Sequence, residues 1–129
     1  MAYGNFVLDK GYDAAAALTK FRFCKMTNAG KATPVTAITD YPLGVAQFEV
    51  LSTELTRGKG ASVRLIGISE VEASGAINPG TVCTLELDGR VCALVGASGK
   101  RIVGICLDKG AVNAGDRVAM ELISGAGLA

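Results

Sequence analysis

The side chains that could do chemistry in this chain are few and scattered. No histidine occurs among its 129 residues, so neither a Ser–His nor a Cys–His dyad can be assembled. A lysine base in SxxK spacing is also missing from the sequence. The four cysteines, Cys24, Cys83, Cys92 and Cys106, contain no CxxC pair, and thiolates at such separations make a poor zinc motif. Each lies in an apolar or alternating run and reads as a reduced, buried small hydrophobe. Glu70 and Glu72 would share one face of an extended segment, where paired acids are ordinarily solvated. The run Gly96-Ala97-Ser98-Gly99-Lys100-Arg101 is too short for a phosphate loop and has no Ser or Thr after the lysine, so it reads as a hairpin turn. Asp108 and Asp116 bracket a loop, but two carboxylates fall short of the six to eight oxygens that calcium takes. The expectation is a non-enzymatic protein, with no catalytic residue, no cofactor and no metal.

The elements that would have to position any site are built from small aliphatic residues. Apolar residues make up 50% of the chain and aromatics only 5%, so the core must come from Val, Ile, Leu and Ala. A domain of this size buries roughly two thirds of its unfolded surface, and so much aliphatic surface on so short a chain points to self-association. Thirteen basic residues stand against twelve acidic ones. They are interspersed, which leaves no basic nucleic-acid footprint and no acidic tail. Asp9, Lys10 and Asp13 break up the N-terminal residues, so no secretory apolar region forms there. No apolar run approaches the ~20 residues of a membrane helix. The expectation is a protein made and used in a cytosol, with neither nucleic acid nor membrane as partner.

Residues 20–26 (Lys-Phe-Arg-Phe-Cys-Lys-Met) alternate with period two and predict a strand. Further strands are predicted at Val35–Ile38, Leu43–Val50, Ala61–Ile68, Thr81–Leu87, Arg90–Val95, Arg101–Leu107 and Arg117–Ile123. Val45, Phe48, Leu51 and Leu55 also fit a helix face, so residues 45–55 admit both readings. Pro79-Gly80 marks a turn. Asp88-Gly89 between alternating runs marks a hairpin. A two-residue loop there would place Leu87 opposite Arg90, Leu85 opposite Cys92 and Cys83 opposite Leu94, with Cys83 and Cys92 diagonal on one face, a placement that disfavours a disulfide. Two echoes run through the chain. Ala76-Ile77-Asn78-Pro79-Gly80-Thr81 resembles Ala111-Val112-Asn113-Ala114-Gly115-Asp116, and Leu43-Gly44-Val45-Ala46 resembles Val103-Gly104-Ile105-Cys106. The chain therefore reuses a strand–turn–strand unit. With 17 glycines and short, closely spaced strands, the predicted class is all-β: a small barrel or sandwich with at most short helical turns.

Residues 1–19 read as an extended arm ahead of a single β-rich domain over 20–129. Ala14–Ala17 after Asp13 could add one helical turn. Tyr3, Phe6, Val7 and Leu8 are apolar or aromatic residues with little use on a free terminus. They could order on a partner by adding to a sheet edge, or fold back on the chain's own domain.

The order of these segments resembles a family of small head decoration (cement) proteins of tailed bacteriophages. The likeness is carried by Lys20–Phe23, by Thr39-Asp40-Tyr41-Pro42-Leu43-Gly44-Val45-Ala46-Gln47 and by Ala61-Ser62-Val63-Arg64-Leu65-Ile66-Gly67. It continues through Ala73–Gly80, Asp88-Gly89-Arg90, Val103–Leu107 and Ala114-Gly115-Asp116, and so covers about residues 18–123. The resemblance implies a mostly β fold and binding to the outside of an assembled head. It also implies association as a homotrimer, contact with the major capsid protein, and an N-terminal arm used for docking, here Tyr3, Phe6, Val7 and Leu8. Its role would be to bridge neighbouring capsomers, which requires multivalency rather than a reactive group. Two alternatives stand beside it. One is another phage structural subunit, in the tail tube or the head completion complex. The other is a lipoyl- or biotinyl-type carrier domain, for which Asp108-Lys109-Gly110 would be the modified turn.

Overall fold

Alternating aliphatic residues punctuated by glycine yield a chain whose regular structure is nearly all β, with 47% of residues in strands and 3% in helix. A computed structural model describes residues 7–123 and 127–129. The strands are β1 (Leu8–Asp13), β2 (Phe23–Met26), β3 (Ala32–Pro34), β4 (Pro42–Ala46), β5 (Gly60–Ile66), β6 (Ile68–Glu72), β7 (Val82–Leu85), β8 (Val91–Ala93), β9 (Ile102–Cys106) and β10 (Arg117–Leu122), with a single helical turn α1 (Ser52–Leu55). They form two five-stranded sheets, in the orders β1-β5-β4-β2-β3 and β6-β10-β9-β7-β8. Every named pairing is antiparallel. The all-β expectation holds in its sandwich form; neither sheet closes into a barrel.

The two sheet orders are the same order displaced by five strands, and the agreement extends to single hydrogen bonds. Ala14 makes a parallel bridge to Ala32, and Ala73 makes one to Val91. Leu18 exchanges two backbone bonds with Val50, and Ile77 exchanges two with Ala111. Cys24 sits opposite Gly44 with a register shift after it, and Cys83 sits opposite Gly104 with the same shift. A Cβ on Gly44 would be driven into Arg64 O, and one on Gly104 into Glu121 O. Both glycines are therefore required by close backbone approach. The chain is two repeats, offset by about sixty residues. Asp13-Ala14 answers to Glu72-Ala73, Cys24 to Cys83, and Gly30-Lys31 to Gly89-Arg90.

The repeat explains an unusual backbone. Phe21 is the one non-glycine residue with positive φ among those described, at 62°. Its counterpart is Gly80 at 76°. In both turns the amide bonds the end of the neighbouring strand, Phe21 N to Ala46 O at 2.8 Å and Gly80 N to Cys106 O at 2.9 Å. The strand predicted from Lys20 therefore begins only at Phe23. Phe21 and Phe23 are both buried, but through the turn rather than through strand alternation.

Other boundaries are corrected by where backbone donors go. Val35–Ile38 is not a strand, because the amides of Thr36 and Ala37 both bond Asp40 Oδ2 at 2.9 Å instead of entering a ladder. The predicted strand over Leu43–Val50 ends at Ala46, Val50 is a single bridge, and residues 52–55 form the helical turn. Ala61–Ile68 is divided at Gly67, whose φ of 109° carries the chain from one sheet to the other. Ala14–Ala17 forms no helical turn.

The hairpin at Asp88-Gly89 has a three-residue loop. Gly89 N bonds Glu86 O and Glu86 N bonds Arg90 O, with Gly89 at φ 86°, the left-handed position such loops require. The register is therefore Leu85↔Val91, Thr84↔Cys92 and Cys83↔Ala93, one residue away from the predicted pairing. Cys83 and Cys92 consequently face opposite sides of the sheet.

Each repeat has its own core. Leu18, Cys24, Ala32, Ala46, Val50, Ala61 and Val63 pack in the first. The core of the second includes Val71, Leu85, Val91, Val103 and Met120, and it also takes Phe23, Val35 and Val45 from the first repeat.

Candidate interaction surface

Several polar side chains are engaged with the frame that holds them. Asp108 accepts bonds from the amides of Gly110 (2.9 Å) and Ala119 (3.0 Å). Asp116 accepts from Val112 (3.0 Å) and Asn113 (2.9 Å). Both are loop staples that use their oxygens on backbone. Despite partial desolvation, these donors hold the Asp108 carboxyl below its ordinary pKa. Glu70 is exposed, while Glu72 is bound to Arg22 Nε and NH2 at 3.3 and 3.1 Å. Burial pushes the Cys24 and Cys83 thiols up to about 12 and also raises Cys92 and Cys106. At neutral pH these groups are thiols rather than the nucleophilic thiolates.

One polar cluster was not anticipated. Lys100 pairs with Glu86, and Cys92 Sγ lies 3.2 Å from both Glu86 Oε1 and Thr84 Oγ1. With the hairpin register known, Glu86 and Cys92 can be placed together. Nothing in the sequence brings Lys100 to them. The bond from Lys100 lowers the Glu86 pKa, and the same bond raises that of Lys100. The pair thus fixes two charges and fastens the Gly96–Lys100 loop to the β7–β8 hairpin.

What is left over is surface. Of the arm residues, Tyr3 and Phe6 lie outside the described residues. Val7 and Leu8 are exposed, and Leu8 opens β1, pairing with Ile66 at the sheet edge. Ile66 also lines a recess of about 520 Å³ with Met26, Tyr41, Pro42, Leu43 and Leu65. The tertiary structure therefore brings Leu8 to the rim of an apolar patch that no local pattern announced. Its members come from β2, β4, β5 and the turn before β4.

The two repeats meet along a seam with a donor side and an acceptor side. The first repeat inserts Phe21-Arg22-Phe23. Glu72 N bonds Phe21 O at 2.9 Å, and Phe23 N bonds Gly89 O at 2.8 Å. Arg22 forks onto Glu72, and its NH1 lies 3.7 Å from Asp88. The Arg117 guanidinium covers the Phe21 ring at 4.6 Å. Gln47 Nε2 donates to Ser69 Oγ at 3.0 Å. At the other end, Arg101 N bonds Ile38 O at 2.8 Å and its guanidinium lies 4.8 Å from the Tyr41 ring. The contact is heterologous: the surface given by one repeat differs from the surface that receives it.

No protein-family model and no curated protein matches this chain. Among solved structures, it is similar to "the crystal structure of head fiber gp8.5 N base in bacteriophage phi29". The TM-score is 0.68, over 96% of this chain and 99% of that one, with 18% of residues identical. The likeness therefore spans both repeats, and this chain has the fold of that phage head fiber base.

Proposed function

We propose that this chain is a structural, non-enzymatic protein of a tailed-phage head. It sits on the outer surface of the assembled shell, contacts the major capsid protein and bridges neighbouring capsomers as a homo-oligomer, a trimer in the reading drawn from the family resemblance. The observation that carries this is the fold shared with a head fiber base over nearly the whole of both chains. Two features support it. Asp108, Asp116, Glu72 and Glu86 are spent on loop staples and ion pairs, as a rigid spacer requires. The apolar recess around Met26, Tyr41 and Ile66 leaves an open apolar face, as assembly into a homo-oligomer requires, and the arm residues Tyr3, Phe6, Val7 and Leu8 would serve for docking on the shell.

The test is to mix purified protein with emptied, expanded heads of the phage that encodes it and to count bound copies. Saturable binding at a fixed number of copies per head, with a raised threshold for bursting, supports the reading. No binding to expanded heads refutes decoration and favours a tail-tube or head-completion role.

A further inference from the structure

The internal seam has an unused counterpart at each end of the chain. On the acceptor side, the second repeat presents Val71, Leu85 and Val103, all buried. The residues at the same places in the first repeat are Tyr12, Met26 and Leu43. Tyr12 and Leu43 are only half-buried, and Met26 is exposed. Gly89 is buried and a Cβ there would strike Phe23 O, whereas a Cβ on Gly30, its counterpart, would meet nothing within 4 Å. Asp13, counterpart of Glu72, is exposed. It lines a recess of about 490 Å³ with Lys10, Gly11, Tyr12, Gly30 and Gly60, at the place equivalent to the one where Phe21-Arg22-Phe23 of the first repeat lies against the second.

On the donor side, the first repeat buries Phe23, Val35 and Val45 in the seam. Their counterparts Val82, Leu94 and Ile105 are also apolar, but Leu94 is exposed and the other two are half-buried. Each repeat thus carries both faces of one contact, and among the described residues only the inner donor and the inner acceptor are used. A heterologous contact with a free face at each end is the arrangement that extends from molecule to molecule.

We propose that copies of this chain associate head to tail. The second repeat of one copy, through Val82, Leu94 and Ile105, docks on the Tyr12–Met26–Asp13 face of the next copy, in the manner of the internal seam. This deepens the head reading by naming the surfaces through which copies meet. It is tested in solution, where shell binding plays no part.

The experiment is light scattering on the purified full chain, with single variants at exposed positions that the fold tolerates. Wild type is expected to be oligomeric. Leu94→Asp removes the donor face and Met26→Asp the acceptor face, and each should weaken association roughly tenfold or more, the scale of a central contact. Val112→Asp, at an exposed position whose first-repeat counterpart Leu51 is also exposed, should leave the mass unchanged. The decisive step is to mix the two variants. Leu94→Asp keeps its acceptor and Met26→Asp keeps its donor, so together they form a one-to-one pair that grows no further. A monomeric wild type, loss of assembly in Val112→Asp, or a mixture that stays monomeric overturns the proposal. Failure of shell binding with these results intact would overturn only the head reading.

Discussion

Phe21 offers a sharp test of the repeat, because two effects of opposite sign meet at one residue. Its φ of 62° lies where an L side chain costs about 1–2 kcal/mol. Its ring is buried and lies under the Arg117 guanidinium. Truncating a buried Phe costs about 3–5 kcal/mol. Phe21→Ala loses the ring and keeps the strain. Phe21→Gly loses the ring, relieves the strain, and costs about 0.5–1 kcal/mol in unfolded-chain entropy. Both variants are therefore destabilised, but Phe21→Gly should be the more stable by roughly 0.5–1 kcal/mol. That reverses the usual order of Ala over Gly. The mirror variant Gly80→Ala, at φ 76°, should lose roughly 1 kcal/mol. Urea unfolding followed by circular dichroism, with a common slope, measures all three. If Phe21→Ala equals or exceeds Phe21→Gly, the turn is not strained as described and the equivalence of Phe21 with Gly80 carries no energy.

Gly104→Ala should destabilise by about 3 kcal/mol, because its Cβ would meet Glu121 O and crowd Met120 Cγ at 2.8 Å; a thermal melt unchanged from wild type would refute the close approach. The carboxyls of Asp40 and Asp108, which are partly desolvated but hydrogen-bonded to backbone, and those of Asp9 and Glu86, paired with Arg64 and Lys100, all have depressed pKa values. A depressed folded pKa gives stability that is full above the unfolded value near 4 and is lost as pH falls through the folded one. The urea midpoint should therefore drop steadily below about pH 4, and Asp108→Asn should flatten that fall; a parallel curve would count against the staple. Cys24 and Cys83, buried and held as thiols, should resist iodoacetamide in the native protein and react in urea, as read by intact mass. Prompt labelling of either in the folded state would contradict their burial.

The sequence alone determined the class of this fold. Alternating aliphatics separated by glycine-bearing turns permit little other than short antiparallel strands, because burial of one face and the sterics of the turn residues are both local. The missing histidine limited the chemistry in the same direct way. The Gly44 and Gly104 echo was legible too, and it is the true repeat, since each glycine meets the equivalent backbone oxygen of its neighbouring strand, Arg64 O and Glu121 O. The other echo, Ala76–Thr81 with Ala111–Asp116, lies within one repeat, and the tertiary structure shows it as a pairing: Ile77 bridges Ala111.

Only the tertiary structure decided where strands begin and what faces outward. The hairpin register turned on one residue of loop length, the Val35–Ile38 strand was pre-empted by the Asp40 carboxylate, and the turn at Phe21 was visible only through its glycine counterpart. The apolar recess and the two open ends of the seam are made of residues from several strands, each with an ordinary local pattern. Whether Met26 or Leu94 is covered depends on which repeat lies against it, and that is a property of packing between distant segments rather than of any window of sequence.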